Sequence, residues 1–113
     1  MPLVHILTQL YKLLYALGKK LQKRDRFGLH THIEQTCMQC LEYSIQAAFL
    51  QKFKKAEILQ NLQVHIEILK RFIRIAQELN IYTQKDYLIF ENSLQEISKM
   101  TSGWKKYLTQ KAP

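Results

Sequence analysis

The apolar positions of this chain recur in steps of three and four along almost its whole length, the signature of amphipathic helices. Leu3, Ile6, Leu7, Leu10, Leu13, Leu14, Leu17 and Leu21 form one such stripe and predict a first helix over residues 3–21. A second covers residues 26–50, with Ile33, Cys37, Cys40, Leu41, Ser44, Ile45 and Ala48 inward; its small residues suit close approach of a neighbouring helix. Leu59, Leu62, Ile66, Leu69, Phe72, Ile73 and Ala76 mark a third over 55–79. Ile58, Ile68 and Ile75 make that face broader than the neighbours within one bundle require. A fourth helix, over 84–108, carries Tyr87, Phe90, Leu94, Ile97, Thr101, Trp104 and Leu108 in alternating three- and four-residue steps, the spacing of bundle packing.

Local signals place the ends of these helices. Pro2 fits a first turn, where its missing N–H costs nothing, and Gly18 weakens the last turn of the first helix. The second helix has two possible starts: Asp25 capping a helix that opens at Arg26, or Thr31 forming a capping box with Glu34. Its end is set by length, because Gln51-Lys52-Phe53-Lys54-Lys55 holds neither Gly nor Pro. One unbroken helix from Arg26 to Leu79 would be about 80 Å long, too long for a compact domain. Thr83, with Asp86 three residues on, caps the fourth helix, and Tyr82 is placed to staple onto Tyr87. Residues 109–113 are expected to fray. Short links between four helices imply an all-α, antiparallel up-down-up-down four-helix bundle, a single domain over residues 1–113. The surplus apolar surface of the third helix implies a homo-oligomer.

Composition narrows the class. The 113 residues suffice for one core, and three Gly with two Pro are too few for the turns of a β-rich fold. Seventeen Lys and Arg against nine Asp and Glu leave a net charge of +8, which favours polyanionic partners, nucleic acid first. The stretch Leu3–Leu17 contains Thr8, Gln9 and Lys12, so it is too polar to span a bilayer, and no cleavage site of small residues follows it. Its early turns also carry few cations for a membrane-surface helix, so no membrane partner is expected. Cys37 and Cys40 have the C-x-x-C spacing of redox or zinc sites, but no matching pair and no preceding strand accompany them. Buried, reduced thiols and a cytoplasmic location are the expectation. His5, His30, His32 and His65 show no metal-ligand spacing with carboxylates, and no Gly-rich phosphate loop occurs. No catalytic residue, metal or cofactor is therefore expected, and the protein is read as a binding protein and not an enzyme.

The basic residues fall into groups. Lys19, Lys20, Lys23, Arg24 and Arg26 surround the first link, and Lys52, Lys54 and Lys55 the second. Lys70, Arg71 and Arg74 lie on the third helix, and Lys99, Lys105, Lys106 and Lys111 towards the C-terminus. In an antiparallel bundle the two links fall at opposite ends, so positive charge gathers at both. Lys70 and Arg74, four residues apart, project from one face with Arg71 beside them. They either share an anion such as a phosphate or are balanced by Glu67 and Glu78, each one helical turn from an Arg. Tyr11, Tyr15 and Phe53 are candidates for stacking on bases or, equally, for packing.

Three stretches carry a family resemblance: Arg26-Phe27-Gly28-Leu29, Leu69-Lys70-Arg71-Phe72-Ile73-Arg74-Ile75-Ala76, and Tyr87 through Glu96-Ile97 to Ser102-Gly103-Trp104. In order and spacing they resemble the accessory variability determinant (Avd) family of diversity-generating retroelements. The resemblance implies a four-helix bundle assembling into a homopentameric barrel. It also implies binding to a reverse transcriptase and to structured RNA, with DNA as a further candidate, in support of mutagenic copying of a template. Lys70, Arg71 and Arg74 match the family's basic stretch, and Lys19, Lys20, Arg24, Arg26, Lys52, Lys54, Lys55, Lys105 and Lys106 are the further candidate contacts. Two departures stand out: family members often have two glycines before the Trp, and a proline before the Arg-Phe pair. Ribosomal RNA intervening-sequence proteins, which are also basic four-helix bundles, and a purely structural homo-oligomer remain alternatives.

Overall fold

The computed structural model describes residues 2–110, with side chains through residue 108, and every regular element in it is helical. Four long helices, α1 (Pro2–Gly18), α3 (Leu29–Phe49), α4 (Lys52–Glu78) and α5 (Gln84–Gln110), are accompanied by a five-residue helix, α2 (Lys23–Phe27). The long helices pack in a ring, α1 on α3, α3 on α4, α4 on α5 and α5 back on α1, in a body 53 × 20 × 19 Å.

Cross-helix contacts give the directions. The Cys37 thiol lies 3.9 Å from the Leu7 carbonyl and the His30 ring 2.9 Å from the Leu14 carbonyl, so α1 and α3 run in opposite senses. Gln63 meets Ser102 at 3.3 Å and Gln77 meets Gln84 at 3.2 Å, which makes α4 and α5 antiparallel too. The up-down-up-down bundle is as the periodicity predicts. Leu3, Leu7, Leu10 and Leu14 of α1 meet Ile33, Cys37 and Cys40 of α3, the Leu59–Ala76 stripe of α4, and Phe90, Leu94 and Ile97 of α5 in one core.

Several boundaries differ from the sequence expectation. The first helix stops at Gly18 and not Leu21; Leu21 still packs against the core from the following turn, which is why the stripe reads through the break. The predicted 26–50 helix is two helices divided at Gly28. A Cβ there would sit 2.6 Å from the Arg24 carbonyl oxygen, so only glycine allows this tight corner. Neither predicted cap operates at this end: Asp25 lies in the first turn of α2, while the Thr31 hydroxyl donates to the Arg26 carbonyl at 2.7 Å and ties α3 to α2. α4 begins at Lys52, three residues before the predicted start. The reversal uses Leu50 (φ −76°, ψ 156°) and Gln51 (φ −64°, ψ 150°), extended conformations open to any L-residue, so no Gly or Pro is needed. The inward face of α3 is also rotated. Ala47 is fully buried where Ala48 was expected, Leu41 is only partly buried, and Ile45 is 40% exposed. Tyr43, one turn before Ala47, has its ring centroid 4.9 Å from that of His65 of α4, so the edge of α3 nearer α4 is the one covered.

α4 ends in a Schellman motif: Ile81 N–H donates to the Ala76 carbonyl (2.8 Å) and Asn80 N–H to that of Gln77 (3.0 Å). Asn80 takes φ 61°, a left-handed conformation that asparagine tolerates better than most residues. The Thr83 hydroxyl accepts from Asp86 N–H at 3.1 Å, the predicted cap. Tyr82 goes further than a local staple onto Tyr87. It is buried, edge-on to Phe90 with centroids 5.4 Å apart, and its hydroxyl reaches His30. α5 continues through Thr109 and Gln110, which were expected to fray, and Lys111–Pro113 lie outside the described residues.

Candidate nucleic-acid and partner interface

The predicted contact residues form three separate patches. The first is the corner formed by the end of α1, the link Lys19–Gln22, and α2. Lys19, Lys20, Lys23, Arg24 and Arg26 are all exposed here, and none forms an ion pair with a described carboxylate. Asp25 is the one acidic residue in the link and α2. Phe27, just before the Gly28 corner, is 68% exposed, with the Arg26 guanidinium 5.3 Å from its ring centroid. Tyr15 of α1 is 67% exposed on the same cleft, about 270 Å3 in volume, which is also lined by Lys19, Arg26, Thr31 and Glu34.

The second patch is the tip where α3 turns into α4 beside the C-terminal part of α5. Lys52, Lys54 and Lys55 lie in the first turn of α4, and Lys105 and Lys106 in the C-terminal part of α5. The Lys55 ammonium lies 5.6 Å from the Trp104 ring centroid, and Lys105 bonds to Gln60 and, at 3.3 Å, to Gln63. Phe49 and Phe53 project into solvent, 86% and 75% exposed. Of the three aromatics singled out in the sequence, Tyr15 and Phe53 are therefore exposed, while Tyr11 packs against the core edge.

The third patch lies along the α4–α5 groove. Lys70, Arg71 and Arg74 share a cleft of about 420 Å3 with Glu67, Glu78, Tyr87 and Glu91. Glu67 pairs with Lys70 at 3.1 Å and Glu78 lies 3.9 Å from Arg74, so the balancing arrangement is the one present. Arg71 has no ion-pair partner among the described residues. Three cations facing three carboxylates make the groove charge-balanced, unlike the corner. The groove (α4, α5) and the corner (α1, α2) lie on different sides of the ring, so they do not merge into one surface.

Sequence reasoning did not reach the buried polar cluster behind the corner. His30 is fully buried; its Nε2 lies 2.9 Å from the Leu14 carbonyl and its Nδ1 2.7 Å from the Tyr82 hydroxyl. A carbonyl only accepts, so Nε2 carries the proton and Nδ1 accepts from Tyr82. Burial holds the His30 pKa below its ordinary 6.5, against the opposing pull of Glu34, 3.8 Å away. Gly18 makes room: a Cβ there would lie 3.1 Å from His30 Nε2. Cys37 and Cys40 are free and buried, and desolvation pushes the Cys40 thiol up to about 12 and Cys37 higher still. Among the described residues no group of three or more His, Cys, Asp or Glu can hold a metal, and no helix is long and apolar enough to cross a membrane.

A basic antiparallel helical bundle with cation-rich ends is thus the class that the fold and surface define. The bAvd-like family model matches residues 3–108, and the chain belongs to that family. No curated protein matches the chain.

Proposed function

We propose that the protein is an accessory, non-catalytic subunit of a diversity-generating retroelement, binding nucleic acid and the element's reverse transcriptase in support of mutagenic copying of a template RNA. Membership of the bAvd-like family supports this reading. The observation that carries the nucleic-acid half is the corner, where five exposed cations surround a single acidic residue of the link and α2, Asp25, and none forms an ion pair among the described residues. Such charge releases counterions from a phosphate backbone with little regard for sequence. The polymerase half falls to the α4–α5 groove. Interleaved charges of both signs suit the patterned, complementary surface of a protein better than a uniform polyanion. The outward face of α4, where Val64 and Ile68 are exposed one turn apart, suits packing between copies in a homopentameric barrel.

The test is co-purification of the tagged protein with its reverse transcriptase and RNA. The double variant Arg71→Glu, Arg74→Glu is expected to weaken polymerase capture by at least about tenfold, with helical content unchanged and RNA affinity within about threefold of wild type. A variant that captures the polymerase normally would remove the groove from the interface. A wild-type protein that recovers neither polymerase nor RNA would overturn the function.

A further inference from the structure

The corner combines features that bulk charge does not require. Its cations would attract a phosphate backbone without any cleft, and without aromatic rings beside them. Yet Tyr15 and Phe27, both about two-thirds exposed, flank a cleft containing the carboxylate of Glu34 and the hydroxyl of Thr31. Exposing two large rings costs apolar burial, and Phe27 immediately precedes the Gly28 corner, where a Cβ would lie 2.6 Å from the Arg24 carbonyl oxygen. Glu34 belongs to the same arrangement. A carboxylate repels phosphate, so the group expected beside it is a hydrogen-bond donor, while Lys19 and Arg26, which line the same cleft, take the negative charge.

We propose that this cleft holds one unpaired base of a single-stranded nucleic acid, stacked on the Tyr15 and Phe27 rings, with Glu34 favouring guanine. This rests on the nucleic-acid reading above and adds the form of nucleic acid and the base. Aromatic platforms within a cationic surface are how single strands are held, since every base offers a π-face and only an unpaired one can be reached. Among the four bases, guanine alone presents two adjacent donors, N1–H and the N2 amine, on its Watson–Crick edge. These match the two oxygens of one carboxylate, whereas uracil sets a single donor between two carbonyls. The stack places the guanine edge inward against Glu34 and leaves the ribose phosphates towards Lys19 and Arg26. A duplex, with its bases paired and stacked, has nothing to insert.

Fluorescence anisotropy on the full-length protein tests this, with three labelled probes: a short oligouridine carrying one guanosine, the same strand with inosine in its place, and an RNA duplex of matched charge. The guanosine strand is expected to bind about tenfold tighter than plain oligouridine, with inosine, which lacks the N2 amine, in between. Phe27→Ala and Tyr15→Ala are each expected to lower single-strand affinity about tenfold and leave duplex affinity unchanged. Phe27→Trp, which keeps a stacking ring, should retain wild-type binding, and Glu34→Gln should level the guanosine and uridine strands. Thermal melts of each variant verify the fold. If wild type binds RNA but neither alanine variant weakens the single strand, the base site is wrong and the nucleic-acid reading stands. If wild type binds none of the probes, both fall together.

Discussion

Replacing His30 by alanine is expected to destabilise the protein by about 3 kcal/mol, a fall in melting temperature of roughly 10–20 °C. The side chain is fully buried and spans three parts of the chain: its own helix α3, the Leu14 carbonyl at the end of α1, and the Tyr82 hydroxyl in the α4–α5 connection. Removing the ring opens a cavity, takes a side-chain bond from the Leu14 carbonyl and leaves the Tyr82 hydroxyl without its partner, a buried group that then carries its own desolvation cost. Tyr82→Phe removes one hydrogen bond and little volume, so about 1–2 kcal/mol is expected. The two effects should not add, because both variants break the same bond. Chemical denaturation of the single and double variants measures this coupling. A His30→Ala protein that melts within a few degrees of wild type would show that the cluster contributes little.

The same residue gives the stability a pH dependence of known sign. Burial lowers the folded pKa of His30 from its ordinary 6.5; the facing Glu34 carboxylate and the Leu14 carbonyl oppose this, and Arg26 adds to it. Below pH 6.5 the unfolded chain takes up a proton that the folded protein refuses, so the free energy of unfolding decreases as pH falls. The contribution of neutral His30 is complete above that pH and is lost progressively as pH drops towards the lowered folded value. The slope approaches about 1.4 kcal/mol per pH unit where only the unfolded state is protonated. His30→Gln lacks the titration, so its stability should decline less between pH 7.5 and 5.5 than that of wild type. Parallel declines would mean that other groups govern the acid side.

The four stripes and the Thr83 cap were legible because each depends on residues within a few positions of one another. The apolar periodicity needs only the helix repeat, and the cap needs only a hydroxyl three residues before an N–H. The break after Gly18 was hidden for a specific reason: Leu21 reaches the core from a turn, so the pattern of leucines continues past the end of the helix. Gly28 gave no turn signal because its role is steric, set by the Arg24 carbonyl of the preceding turn. His30 was illegible for another reason. Its partners lie 16 and 52 residues away, and nothing in the spacing of the histidines reports such contacts. At the surface, balance by Glu67 and Glu78 is local and was foreseen as an alternative to a shared phosphate, but only Glu78 meets an arginine, Arg74, while Glu67 pairs with Lys70. What the sequence could not tell was that Glu91, from the neighbouring helix, adds a third carboxylate to that groove.

Neutralising the corner is the largest effect expected on nucleic-acid binding. The triple variant Lys19→Gln, Lys20→Gln, Arg24→Gln removes three exposed cations that pair with no described carboxylate, so each is available to a phosphate in the wild type. For a single strand, the slope of log affinity against log salt changes by about 0.7 per contact, so it should become shallower by about 2. Affinity at about 0.1 M salt should then fall roughly 100-fold, while stability changes by no more than about 0.5 kcal/mol because all three side chains are on the surface. Binding isotherms across a salt series measure both quantities. The slope separates the explanations that affinity alone would confuse. A weaker affinity with an unchanged slope would mean that the variant had disturbed the corner without losing phosphate contacts. Unchanged affinity and slope would move the nucleic acid to the opposite tip, where Lys52, Lys54 and Lys55 stand beside Phe53. Because the tip and the corner lie at opposite ends of a body 53 Å long, one short strand cannot engage both on a single chain. An effect of the corner variant on a short strand therefore reports the corner alone.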